Sequence, residues 1–114
     1  MATIIAQKIV QSGLIPTYSA ASVAGDKIAN TGIQYFHIKN GSGATITANV
    51  IPVVTVVIDP LLGKLVKQTA SLALTAGQSG FLGPFEVDAF NDTSGNITIT
   101  CTAITSVTLA ALYI

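Results

Sequence analysis

Threonine alternates with apolar residues near the end of this chain, and that alternation constrains its fold more than any other feature. From Asn96 to Ala103 the sequence reads NITITCTA. Ile97, Ile99 and Cys101 fall on one side of an extended backbone, and Thr98, Thr100 and Thr102 on the other. A two-residue period suits a pleated strand with one buried face and cannot lay an apolar stripe along a helix. β-Branched threonine is stiff without being greasy, so it fits the solvent side of such a strand. The stretch from Ala44 to Ile51 repeats the pattern, with Ala44, Ile46, Ala48 and Val50 opposed to Thr45, Thr47 and Asn49. No window shows a 3.6-residue apolar period with caps. Turn clusters recur about every eight to twelve residues, the spacing of sandwiches and barrels.

Strands are therefore predicted over Thr3–Gln11, Lys27–Thr31, Ile33–Lys39, Ala44–Ile51, Val53–Ile58, Lys64–Leu74 (one or two), Gln78–Leu82, Phe85–Val87, Asn96–Ala103 and Ser106–Ile114. Val53–Ile58 is apolar on both faces and should be covered on both. Pro52 breaks the ladder before it, and DPLLG (Asp59–Gly63) is a turn. YSAASVAG (Tyr18–Gly25) reads as a loop rather than a helical turn. NGSG (Asn40–Gly43) between two alternating strands is the hairpin signal. In the last strand Val107, Leu109 and Ala111 share a face. The expected fold is all-β: an antiparallel β-sandwich, jelly-roll-like, of about eight short strands. The expected organisation is a single domain, with residues 1–25 as an N-terminal strand, arm and loop and 26–114 as the sandwich body.

Composition narrows the function. The 114 residues are 50% apolar and only 9% charged, with zero net charge. An average globular domain is about 25% charged. Either partners cover much of this surface, or uncharged Thr, Ser, Asn and Gly keep a monomer soluble. There is no arginine, and five scattered lysines are offset by five acids. A nucleic-acid groove is not expected from such a set, nor is a membrane-surface helix. The longest apolar run, VIPVVTVVI, is a strand's length and not a membrane span. MATIIAQKIV lacks a charged leader and is not read as a signal peptide, so assembly in a cytoplasm is expected. The sequons at Asn91 and Asn96 then read as chance. Cys101 is the sole cysteine, which excludes an internal disulfide.

Individual residues offer little catalytic chemistry. His37, the sole histidine, shares a strand face with Tyr35 and Lys39. A metal site would want further His or Cys ligands at short spacing, and Cys101 reads as a core residue. NGSG lacks the Lys-Ser/Thr and the helix of a phosphate loop. Glu86 and Asp88, two apart in an extended segment, share a face; paired acids can bind calcium or do acid–base work, but without a third and fourth oxygen donor nearby, and with Asp92 adding only one carboxylate, a solvated edge or an interface contact is expected. No catalytic residue, cofactor, metal or small-molecule substrate is expected. The aromatics Phe81, Phe85 and Phe90 either cap the core or anchor a protein neighbour. Tyr18, Tyr35, His37, Phe81, Phe85 and Phe90 are the candidate protein-interface residues.

Three segments together carry a resemblance: NTGIQYFHIKNGSGATITANVI (Asn30–Ile51), LTAGQSGFLGPFEVDAFND (Leu74–Asp92) and GNITITCTAITSVTLAALY (Gly95–Tyr113). Their order resembles the small β-rich virion proteins of tailed bacteriophages and prophages. In that pattern an apolar strand runs into Asn-Gly-Ser, an Ala-Gly turn leads to Gly-Pro-Phe, and threonine-alternating strands end the chain. The resemblance implies a non-enzymatic capsid decoration (cement) protein that binds the major capsid protein on the virion surface, often as a homotrimer. A head–tail connector or tail component is the alternative. From the residues alone, a carbohydrate-binding sandwich using exposed aromatics and the Glu86/Asp88 edge is a third reading, which the absence of tryptophan weakens.

Overall fold

The computed structural model describes residues 2–53, 56–61, 63–66 and 68–114. Among the described residues twelve strands and one helical turn follow one another: β1 (Ala2–Thr3), β2 (Gln7–Lys8), β3 (Ser19–Ala20), β4 (Asp26–Ala29), β5 (Tyr35–Asn40), β6 (Ile46–Val50), β7 (Val56–Asp59), β8 (Gly63–Val66), β9 (Ala70–Leu74), β10 (Ser79–Leu82), α1 (Val87–Phe90), β11 (Asn96–Cys101) and β12 (Val107–Tyr113). They form two sheets and a ribbon. One sheet has the order β1-β4-β11-β6-β9; the other runs β10-β5-β12-β2, with β3 also on β12; β7 and β8 pair only with each other. The expected all-β sandwich is present, and its strand order, rather than the jelly-roll label, defines it.

Apolar alternation builds the core between the sheets. Phe36, Ile38, Val107, Leu109 and Ala111 from the second sheet meet Ile28, Ile46, Ala48, Val50, Ile97 and Ile99 from the first, all buried. The larger of these, the Phe, Ile, Leu and Val side chains, stabilise the domain by roughly 1.5–3 kcal/mol each relative to exposure. Phe85 is buried among them, with Phe90 half-buried against the cluster at a ring distance of 5.3 Å.

Several local expectations are corrected. β5 and β6 do not form a hairpin. β5 pairs with β10 and β12, whereas β6 pairs with β11 and β9. Asn40–Gly43 is thus a crossover between layers, and neither Gly41 nor Gly43 takes the positive φ that a tight Asn-Gly hairpin needs. Phe85–Val87 is not a strand: Pro84 precedes it, and Val87–Phe90 closes one helical turn through Phe90 N–H to Glu86 O, 3.0 Å. Glu86 and Asp88 therefore lie at the start of that turn and do not share a face. Thr3–Gln11 is not one strand but two short ones on different sheets, since β1 pairs in parallel with β4 and β2 in parallel with β12. YSAASVAG holds the two-residue β3. Ala44 is exposed and outside β6. Cys101 ends β11 only half-buried. Lys64–Leu74 divides into β8 and β9. Asp59–Gly63 closes the β7–β8 ribbon, while the expectation that Val53–Ile58 is covered on both faces falls partly outside the described residues.

Buried polar side chains lock the crossovers. Asn40 is 2% exposed. Its Nδ2 donates to the carbonyls of Ala44 (2.8 Å), Leu74 (3.1 Å) and Thr75 (3.1 Å), and its Oδ1 accepts from the Ser42 amide (3.0 Å) and hydroxyl (2.6 Å). One amide so ties two loops at one end of the sandwich. At another site Asn30 Nδ2 donates to Phe85 O (3.1 Å) and Asn91 Oδ1 (2.6 Å), while Asn91 Nδ2 donates to Asn30 O (2.8 Å). The buried Asp26 carboxylate accepts from the Ser22 amide and hydroxyl. No buried side-chain polar atom among the described residues lacks a partner, as a well-ordered core requires.

Candidate interaction surface

The outward face of the second sheet gathers four of the six candidate residues. β5 alternates: Phe36, Ile38 and Asn40 turn into the core, so Tyr35, His37 and Lys39 turn outward. Register then supplies the neighbours. Phe81 on β10 sits opposite His37, and Ala110 on β12 lies on its other side. Tyr18 comes from the segment that enters β3.

These side chains form a continuous row. The Phe81 ring stacks on the His37 imidazole, 4.5 Å between centroids and 17° between planes. Tyr35 meets the Phe81 edge at 5.8 Å. Tyr18 approaches His37 edge-on, and its hydroxyl lies 2.7 Å from His37 Nδ1. Lys39 Nζ caps the row 3.9 Å above the Tyr18 ring, a cation–π contact. Phe81 remains 62% exposed. An aromatic row of this kind offers a large, rigid, water-facing surface at little cost in side-chain entropy, the property that makes aromatics effective interface anchors.

Electrostatics favour a neutral imidazole. Partial burial, then the nearby Lys39 ammonium, lowers the His37 pKa from its ordinary 6.5. In a neutral ring the tautomer sets the direction of this bond: Nδ1 accepts the Tyr18 hydroxyl proton when Nε2 carries the hydrogen, and donates to the Tyr18 oxygen when Nδ1 does. His37 and Cys101 stand on different sheets and face different neighbours. Burial and the Asp26 carboxylate push the Cys101 thiol above its ordinary value, the opposite of what a thiolate nucleophile needs.

Phe85 and Phe90 are placed otherwise. Phe85 is 3% exposed and tilts against Phe36 at 6.0 Å; Phe90 stands on Phe85. They belong to the end of the core, and Phe81 alone of the three faces outward. Alternation in β5 identified Tyr35, His37 and Lys39 from sequence. Tyr18 and Phe81 join them only through cross-strand register and β3 docking, which no local pattern encodes.

A shallow cleft of about 350 Å³ opens beside the N-terminal strands, lined by Thr3, Ile4, Ile5, Gln7, Thr17 and Ser19. Among the described residues no group of three His, Cys, Asp or Glu converges to hold a metal, and no helix is long and apolar enough to cross a membrane. Comparison of the chain with known protein families, with curated proteins and with solved structures returns no match.

Proposed function

We propose that this chain is a structural virion protein that decorates and stabilises a phage capsid, binding the major capsid protein through the outer face of the second sheet, as a homotrimer. The observation that carries the reading is the outward-facing aromatic row Tyr18–His37–Phe81–Tyr35, half-buried except for the exposed Phe81. The resemblance of its motif order to that of tailed-phage virion proteins suggests the partner. Zero net charge and few charged groups suit a subunit crowded among many copies, and repetition over a shell lets weak single contacts act together.

The test compares shells of the encoding phage or prophage with and without the protein, by electron microscopy and by heat resistance. Phe81→Ala should leave folding intact, since Phe81 lies outside the core, yet abolish retention on shells. Unchanged shell density and heat resistance in the absence of the protein would sink the proposal. Copy number separates decoration, which follows the shell lattice, from a connector, which follows one vertex.

A further inference from the structure

Two apolar residues are buried on the wrong side of the sandwich. β12 pairs with β5 so that Ala110 lies opposite His37 and Leu112 opposite Tyr35. Cross-strand partners share a face, so Ala110 and Leu112 look outward, away from Val107, Leu109 and Ala111. Yet they are 0% and 4% exposed, and neither belongs to the core cluster. Something of this chain covers them from outside.

Register points to the stretch leading into Tyr18: Leu109 pairs with Ser19, which brings Tyr18 level with Ala110. Leu14, Pro16 and Tyr18 are half-buried while Ile15 and Thr17 are exposed, the alternation of an extended chain laid on a sheet. To reach His37 on β5, Tyr18 must cross β12, which lies between β3 and β5. Ala110, the residue beneath that path, has the small side chain it requires. The attachment is sparse. Ile9 N–H donates to Tyr113 O at one end. At the other, the Gln7 amide donates from Nε2 to Thr17 O (2.8 Å) and accepts from Thr17 N–H at Oε1 (2.9 Å). The Tyr18 hydroxyl meets His37. Among the described hydrogen bonds, none joins residues 10–16 to the sheet, and Gly13 N–H turns back to Val10 O.

We propose that residues 9–18 are a strap that lifts from the second sheet without unfolding it, latched at Gln7 and Tyr18, and that lifting uncovers Ala110 and Leu112 as an apolar extension of the aromatic row. The strap thereby regulates the docking face and rests on that face being the docking surface. Segments held by few hydrogen bonds and little buried area open at far lower free energy than the core. Phe81, Tyr35 and His37 already lie beside the uncovered strip, so an apolar partner surface gains a broader contact once the strap is displaced. Lys39 and the Tyr18 and Tyr35 phenols are the titratable groups facing His37 from the described elements, and none is a carboxylic acid. Protonation of His37 sets a second cation beside Lys39 in a partly buried position, so acid favours the lifted state.

The experiment places a reporter under the strap: Ala110→Cys in a Cys101→Ser background, followed by thiol alkylation in native buffer. Lifting predicts labelling faster than global unfolding allows. Adding Tyr18→Phe, which keeps the ring and removes the hydroxyl, should accelerate it roughly 3- to 10-fold, the change a single hydrogen bond carries. Amide exchange should quicken over residues 9–18 while β5 and β11 stay protected. Lowering the pH from 7.5 to 5.5 should raise labelling, corrected for thiol ionisation, and His37→Gln should flatten that dependence. Labelling that tracks global unfolding in urea, or that ignores Tyr18→Phe, would overturn the strap. If labelling behaves as expected but Phe81→Ala shells retain the protein, the strap stands and the docking face falls; the reverse pair of results removes the strap alone.

Discussion

Asn40→Ala is the sharpest test of how this sandwich is tied together. As the first residue of an Asn-Gly hairpin, Asn40 would supply only turn propensity, and alanine there would cost about 1 kcal/mol or less. As the buried hub of a crossover, it does more. A side-chain amide has two donor hydrogens and two acceptor lone pairs, so at most four full hydrogen bonds are lost. At about 1 kcal/mol net each, with the buried Leu74 carbonyl left unsatisfied in the bargain, the loss comes to roughly 3–5 kcal/mol. That is a large share of the 5–15 kcal/mol typical of a domain. Ser42→Ala, which removes only a half-buried hydroxyl from the same network, should cost about 0.5–1.5 kcal/mol. Asn40→Asp keeps the acceptors but turns a carboxylate toward three carbonyl oxygens, and should be at least as damaging as alanine at pH 7, easing as acid protonates it. Urea unfolding reads all three as a change in midpoint at constant slope. An Asn40→Ala cost no larger than that of Ser42→Ala would refute the hub and return the segment to a simple turn.

Four further outcomes follow from local geometry. Gly25 holds φ +97°, and a Cβ there would stand 2.9 Å from Ile99 O and from Thr100 Cγ2, whereas Gly13 at φ +99° has open space. Gly13→Ala should cost about 1–2 kcal/mol of backbone strain, and Gly25→Ala about 2–4 kcal/mol because a clash is added; equal thermal shifts for the two would contradict the packing. Cys101→Ser should destabilise by about 1 kcal/mol, the low end for burying a hydroxyl, because the site is half-buried. Wild-type Cys101, its thiol held above the ordinary value, should react with iodoacetamide several-fold slower than a free cysteine at pH 8. For His37 the folded state binds fewer protons than the unfolded one, since its pKa is lowered. Stability from this group is complete above about pH 6.5 and declines as pH falls below it, so denaturation midpoints should drop toward pH 5.5 in the wild type and lose that component in His37→Gln.

What the sequence reveals and hides follows from which interactions are local. Alternation is local: NITITC and the Ile46–Val50 stretch announced their buried faces, and Tyr35, His37 and Lys39 were legible as one outward row. Strand partnership is not local. Asn-Gly flanked by alternating residues promises a hairpin only if both strands enter one sheet. Here β4, β5 and β6 alternate between layers, and so do β10, β11 and β12. Turn chemistry was thus recognised, but its purpose inverted, because a crossover needs a polar lock where a hairpin needs positive φ. The same limit explains Ala110 and Leu112. The strand VTLAALY is apolar on both sides, which by period alone announces a strand covered twice. Recognising only Val107, Leu109 and Ala111 as inward left the second cover unsought. The cover we assign to them is the strap that ends at Tyr18, some ninety residues away in the chain, and its signal is a spare apolar face on β12. An apolar face without an assigned partner inside the domain is a demand for one. In this molecule Tyr18, level with Ala110 and bonded to His37 across β12, answers part of that demand from within the chain, while Phe81 beside it stays open to water.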